Sequence, residues 1–308
     1  MAAIPFALYD AFSDLAFGGS QAGLVSDAAR LDADTRQRIA SEIGAPATGF
    51  ITASSEVSVS ARFHSTRMEY PMCGHGTICL MTQLIEQGIL KWNGTERIEV
   101  ELIMPTATAA VEIYRRHDDR PLVMLDVNPP VFRKDNLDFE RLAGLLGLGI
   151  EDYRQELPLE TVTGDFVHLV VPVRSLAAIR RIKPQFEGII QFCLEHKLDT
   201  VAVFCTEVER PGNTLHVRDF CPAVGVPESA SAGTTNAALT AYLIRHEIVR
   251  ENSDGQVVIE AEQGHEISRP SSIRSVVSID DGSIARLQIG GVATKVMEGR
   301  LYLPELSD

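Results

Sequence analysis

A chain of 308 residues, 45% of them hydrophobic, is long enough to bury the cores of about two domains. Its 28 Lys and Arg against 42 Asp and Glu leave a formal net charge of −14, so no global basic surface exists to attract phosphate backbones and nucleic acid is not an expected partner. The start, MAAIPFALYDAF, has no basic segment followed by a long apolar one, and no apolar run reaches the roughly 18 residues of a membrane span, so a cytoplasmic protein without membrane association is expected.

Apolar spacing near 3.6 behind an acidic start predicts a helix over 33–43. Strand-like alternation follows at 57–65 (VSVSARFHS). A lone carboxylate, Glu69, then precedes a Cys-Gly-His-Gly-Thr turn at 73–77 and a helix-like apolar run. Strands are expected at 97–104, 108–116 and 121–127. Turn-rich stretches at 117–120 (HDDR) and 128–136 (NPPVFRKDN) mark a domain junction. Beyond it, helices are predicted over 138–147, 175–181 and 184–196, and strands over 166–173, 200–208, 214–220, 256–262, 273–280 and 284–290.

The turn and its helix recur. Residues 231–249 (SAGTTNAALTAYLIRHEIV) lie on 72–90 (MCGHGTICLMTQLIEQGIL) with Gly233 on Gly74 and Leu239 on Leu80, an offset of 159 in both cases (233 − 74 and 239 − 80). A period of that length suits two sister domains with a site between them, rather than a solenoid. Each glycine turn lets backbone N–H groups approach a ligand, and each helix start adds unpaired donors and a positive dipole end.

Glu69 can remove a proton next to a carbonyl if burial raises its pKa and fixed donors stabilise the enolate; otherwise it is a solvated surface charge. Cys73, at a helix start, is either an activated thiol or a small core residue. Its sister position holds Ala232, so two facing thiols are not available. His75 either donates to a substrate carboxylate or caps its own helix, and His168 is a further candidate to reach the site. Five cysteines without CxxC pairs fit reduced, buried thiols better than a disulfide framework. Cys73, His75 and Cys79 cluster without a second ligand pair, and GLLGLG at 144–149 lacks nucleotide-loop spacing, so neither metal nor cofactor is expected. No serine stands in a G-x-S-x-G elbow.

Ordered blocks along nearly the whole chain resemble the PhzF family of phenazine-biosynthesis isomerase-like proteins, within the diaminopimelate epimerase-like fold. They are YDAFSDLAFGGSQAGLV (9–25), RFHSTRMEYPMCGHGTI (62–78), TGDFVHLVVPV (163–173), VRDFCPAVGVPESASAGTTNAAL (217–239) and EQGHEISRPSSI (262–273). The resemblance implies an α+β fold of two pseudo-repeated domains, each a mostly antiparallel curled sheet around a central helix. Its expected boundaries are 1–118 plus about 293–308, and 119–292. It also implies a homodimer and a cofactor-free site in the interdomain cleft. By position, Glu69 corresponds to the family's acid/base glutamate, Gly74 and His75 to the first turn, Gly233 and Thr234 to the second, and Gln263 and Gly264 to a further site-lining turn. Two departures stand out: Ser229 replaces the family's usual Asp, which the resemblance assigns to a substrate amino group, and the usual Gly-Asn-Pro reads Gly19, Ser20 and Gln21. The expected function is a cofactor-independent isomerase that moves a proton within a small carboxylate-bearing, anionic metabolite, with Glu69 as acid/base. The alternatives are a Cys73-dependent epimerase or dehydratase of an amino or imino acid, and a catalytically silent small-molecule-binding protein.

Overall fold

The computed structural model describes residues 3–135 and 137–303. Residue 136 of the expected junction, and residues 1–2 and 304–308 of the expected N-terminal domain, lie outside the described residues. The chain divides into two compact units, Met1–Asp126 with Gly290–Asp308 (unit 1) and Val127–Ile289 (unit 2).

Unit 1 contains β1 (Ala3–Ala11), β2 (Ser20–Val25), α1 (Ala33–Ile43), β3 (Ala47–Ser54), β4 (Ser58–His64), β5 (Glu69–Tyr70), α2 (Gly74–Glu86), β6 (Arg97–Ile103), β7 (Thr108–Arg115) and β8 (Pro121–Val127). Unit 2 contains β9 (Val131–Arg133), α3 (Phe139–Leu146), β10 (Glu160–Thr163), β11 (Val167–Pro172), α4 (Leu176–Arg181), α5 (Phe186–His196), β12 (Thr200–Cys205), β13 (Leu215–Cys221), β14 (Val226–Ser229), α6 (Gly233–Arg245), β15 (Gln256–Gln263), β16 (Ser271–Asp280) and β17 (Ser283–Gly291). β18 (Ala293–Tyr302) returns to unit 1 and pairs antiparallel with β1.

The two units run the same sequence of pairings. In unit 1, β1–β2 is antiparallel, β2–β3 parallel, β3–β4 antiparallel, β4–β6 parallel and β6–β7 antiparallel. In unit 2, β10–β11, β11–β12, β12–β13, β13–β15 and β15–β16 repeat that alternation in order. A parallel step needs a crossover, and helices supply it: α1 and α2 in unit 1, α4 with α5 and then α6 in unit 2. The fold is therefore α+β, two pseudo-repeated units, each a mostly antiparallel sheet with one central helix.

The central helices coincide under the repeat. Both have 13 residues, and their starts, Gly74 and Gly233, differ by 159 (233 − 74). Nine consecutive residues are buried in each, Gly76–Leu84 and Thr235–Leu243, and these ranges also differ by 159 (235 − 76). A helix apolar on all faces belongs inside a core, which is why both runs lack a charged stripe. The flanking helices are amphipathic. α1 packs Ile39 and Ala40 with Val25, Leu31 and Phe50, and the α3, α4 and α5 residues Leu146, Ile179 and Phe192 pack with Val171, Val201 and Phe220.

The expected helices and strands are present within a few residues of their predicted ends. Strands β1, β2, β3 and β18 carry no clear alternation in sequence because glycine or proline interrupts each one. The interruptions are packing devices. A side chain at Gly299 would meet the Phe6 ring at 2.8 Å, and one at Gly49 would meet Phe63 and Leu24 at 3.1 Å.

Candidate active site

Glu69 opens β5 and stands opposite His64 of β4. The reversal between them is held by Ser65, whose hydroxyl accepts from the Arg67 and Met68 N–H groups at 3.1 and 2.9 Å. Arg62 Nη1 donates to Glu69 Oε1 at 2.9 Å, and the side chains are 37% and 33% exposed. Glu69 is thus held at one point, half-buried, four residues before the α2 N-cap.

That helix start is left open. Helices α1, α3 and α4 are closed by side chains: Asp32 accepts from the Thr35 N–H, Asp138 from Arg141 and Ser175 from Ala178. The N-cap residues of α2 and α6, Cys73 and Ala232, make no such bond, and neither first turn contains an acid. First-turn N–H groups have no intrahelical acceptor, and the partial positive charge at that end attracts an anion. Both N-caps are extended, with φ −145° and −139°, and the fourth helical residue secures each N-cap carbonyl. Thr77 Oγ1 donates to Cys73 O at 2.9 Å, and Asn236 Nδ2 to Ala232 O at 2.9 Å.

The glycines of the first turn have different tasks. A Cβ at Gly76 would meet the Phe63 ring at 2.9 Å, so this glycine is required by packing. At Gly74 the nearest obstacle is Leu125 at 3.8 Å, so the absent side chain leaves the approach to the helix start clear. Cys73 is 6% exposed, and burial pushes its thiol up to about 12 despite a bond from the Gly76 backbone. His75 Nδ1 lies 3.6 Å from Cys73 Sγ, and desolvation, partly offset by a bond to the Gln21 backbone, takes its imidazole down to about 4. Thiol and imidazole are accordingly both neutral near pH 7, not a thiolate–imidazolium pair. Ser20 begins β2 opposite Ala11, directly after Gly19, whose φ of 49° and close approach to the Ala11 carbonyl exclude a side chain.

In unit 2, Ser229 ends β14 and its hydroxyl donates to Ser231 O at 3.2 Å. Gly233 and Thr234 are the first residues of α6 and are partly exposed. Gln263 is wholly buried behind this turn: Nε2 donates to Ser229 O at 2.8 Å, and Oε1 accepts from Asn236 at 3.1 Å. Gly264, at φ 78°, leaves room only for hydrogen against the Ala230 and Arg269 carbonyls. These two residues brace the turn from inside. His168 is also fully buried, bonded through Nδ1 to Thr200 at 2.8 Å, and desolvation lowers its pKa to about 4.

Four residues with a part here escaped the sequence reading. Glu228 is the repeat counterpart of Glu69 (69 + 159 = 228) and also pairs with an arginine of the preceding strand. Arg218 grips it at two points, 2.9 and 2.8 Å, while donating to Ile179 O and Ile182 O at 3.2 and 3.1 Å. The Arg218 and Glu228 side chains are only 7% and 5% exposed, so Glu228 is locked where Glu69 is accessible. Extending the offset of 159 beyond the helices would have found it. Asp219 stands opposite Ser229 and accepts from Thr235 Oγ1 at 2.8 Å. Burial raises its carboxyl to about 6 against the lowering bonds from Thr235 and Thr200. Arg62 carried no local signal, because its role depends on the hairpin.

No group of three or more His, Cys, Asp or Glu side chains is arranged to hold a metal ion among the described residues. No helix among them is long and apolar enough to cross a membrane. A recess of about 670 Å³ in unit 1 lies toward the other end of α2, lined by Gln83, Gln87 and Ile89, and contains none of the candidate residues.

Residues 9–299 match the family model for phenazine biosynthesis-like proteins. An uncharacterized isomerase of Clostridium acetobutylicum is 26% identical over 302 residues, covering 96% of each chain. The trans-2,3-dihydro-3-hydroxyanthranilate isomerase of Pseudomonas aeruginosa is 25% identical, covering 97% of this chain and 99% of its own. Among solved structures, a PhzF-family protein of Bacillus anthracis superposes with a TM-score of 0.88 at 25% identity, over 98% of this chain and 100% of that one. A hydroxyproline epimerase of Agrobacterium vitis shares the fold at a TM-score of 0.59 and 12% identity, over 97% of this chain and 92% of that one. With the match spanning almost its full length, the chain belongs to the phenazine biosynthesis-like (PhzF) family, whose matched curated relatives are named isomerases.

Proposed function

We propose that the protein is a cofactor-independent isomerase that moves a proton within a small carboxylate-bearing metabolite, with Glu69 as the acid/base. The observation that carries this reading is the contrast between Glu69 and Glu228. Both repeat-related carboxylates precede an uncapped helix start by four residues, but only Glu69 is held at a single point and partly exposed. A base must reach a substrate C–H bond, and a carboxylate gripped at both oxygens inside a core cannot.

In the proposed step the substrate C–H bond breaks and its proton passes to Glu69. The electron pair moves toward the neighbouring carbonyl oxygen, and the α2 first-turn N–H groups stabilise the developing negative charge. Return of the proton to another carbon regenerates the carboxylate. The sequence is redox-neutral, so it calls for no electron acceptor. Arg62 would orient Glu69 between turnovers, and its partly exposed, one-point contact allows release.

The thiol reading is weaker on this geometry, because Cys73 is buried and neutral and its sister residue is Ala232. The test is incubation of a carboxylic acid panel with the protein in deuterated water, read by mass spectrometry. Label uptake that disappears in Glu69→Gln supports the assignment. Uptake unchanged in Glu69→Gln sinks it, and no uptake across the panel favours a silent binding protein.

A further inference from the structure

We infer that the β1–β2 connection, residues 12–19, is a specificity element that takes the apolar portion of a carboxylic acid substrate on Leu15 and Phe17. This rests on the reading of the α2 helix start as the anion-binding end of the site.

The connection is wound tightly: Phe12, Phe17 and Gly19 have φ of 63°, 71° and 49°. A bulky residue in the left-handed region is strained and persists only when its surroundings enforce it. They do so here. The Phe12 N–H donates to Val292 O at 2.7 Å, and Thr294 Oγ1 to Ser13 O at 2.8 Å. The Phe17 N–H donates to the buried Asp10 carboxylate at 2.6 Å. Arg120 Nη1 donates to Asp14 O at 2.7 Å, and Arg116 Nη1 to the Asp14 carboxylate at 3.1 Å.

A segment pinned along its length nonetheless leaves Leu15 63% and Phe17 69% exposed. Packing of Phe12, 2% exposed, anchors the start of the segment in the core, but it does not explain why the fixed backbone presents Leu15 and Phe17 to solvent. The backbone that carries them is tied to the helix start through strand β2. Asp10, which holds the Phe17 amide, stands opposite Gln21 in the strand register, and the Gln21 backbone bonds to His75. Met72, immediately before the N-cap Cys73, is a third exposed apolar residue at 37%. A carboxylate docked on the α2 N–H groups would therefore have an apolar rim for its other end. A fixed rim orders no chain on binding, so the hydrophobic gain is not spent on loop entropy.

The experiment is an NMR titration of the full-length, ¹⁵N-labelled chain with phenylacetate and with acetate. Phenylacetate should shift the Gly74–Thr77 and Phe17 amides together and bind roughly tenfold tighter than acetate, the low end of the discrimination an apolar pocket provides. Leu15→Ser with Phe17→Ser should abolish that ratio, leaving acetate binding and the thermal midpoint unchanged. Leu194→Ser, an exposed leucine of α5, should leave the ratio intact. Equal affinity for the two acids, a ratio that survives the double substitution, or no shift at 74–77 with either acid overturns the inference. Deuterium uptake reports separately on proton transfer: uptake without an apolar preference removes this inference alone, whereas apolar binding without any Glu69-dependent uptake removes the proton-transfer reading alone.

Discussion

Arg62 donates one hydrogen bond to Glu69 at 2.9 Å across the reversal between β4 and β5, whereas in unit 2 the pair of Arg218 with Glu228, the repeat counterpart of Glu69, is closed by two such bonds inside the core. The two repeat-related carboxylates, each paired with an arginine of the preceding strand, thus have opposite consequences. Partial exposure keeps the first pair a weak, exchangeable contact. Burial makes the second a structural pin whose rupture leaves an uncompensated charge.

Substitution should separate the two. Glu69→Gln is expected to lower label uptake by roughly 10²- to 10⁴-fold, the range for a lost general acid/base, with little change in the urea midpoint. Glu228→Gln should instead destabilise unit 2 by about 3–5 kcal/mol, the range for removing one partner of a buried ion pair, read as a lower midpoint. Activity lost through Glu228→Gln at unchanged stability would contradict this division.

Cys73 should behave as an inert thiol. With its pKa pushed up to about 12 by burial and 6% exposure, thiolate is scarce at pH 8. Iodoacetamide should alkylate Cys73 in the folded protein far more slowly than in urea, and Cys73→Ser should retain most label uptake. Rapid native-state alkylation together with an inactive serine variant would restore the thiol mechanism.

The two glycines of the α2 first turn should respond differently to alanine. At Gly76 a Cβ would press on Phe63 at 2.9 Å, so Gly76→Ala should cost about 1–3 kcal/mol, as overpacking typically does. At Gly74 there is space, and the gain in helix propensity should leave stability equal or up to about 1 kcal/mol higher. If the open approach to the first-turn N–H groups matters for function, Gly74→Ala should still weaken carboxylate binding. Thermal melts and acetate titration measure the two effects.

Unit 2 should also show a pH signature from His216. Burial lowers its pKa, but the bonds to Glu262 at 2.8 Å and Glu266 at 3.0 Å outweigh that and raise it to about 9 from 6.5. A raised folded-state pKa means that the stabilisation is complete below 6.5 and is lost as pH rises through 9. Burial raises Glu262, but bonds from His216, the Glu209 and Arg210 N–H groups and Asn213 bring it down to about 2, so its contribution is complete above 4.5 and is lost toward pH 2. Between pH 6.5 and 9 the native chain should lose stability that His216→Gln does not lose. Parallel denaturation curves for the two proteins across that window would refute the charged clamp.

The sequence by itself determined the repeat, the two central helices and the position of Glu69. Nine consecutive buried residues per helix leave an apolar run without a polar face, and the glycine turns mark both starts at the common offset of 159. These signals are local, set by helical periodicity and by which residues tolerate a tight turn. It did not disclose that Cys73 is neutral, that Gln263 faces inward to brace the 229–232 turn, or that Glu228 is locked while Glu69 is not. Each of those follows from desolvation or from a partner brought close by folding: Phe63 against Gly76, Asn236 against Gln263, and Arg218 with the Ile179 and Ile182 carbonyls around Glu228. Tertiary structure decided them because a charge's cost depends on how much water remains around it, and the order of residues along a strand does not record that.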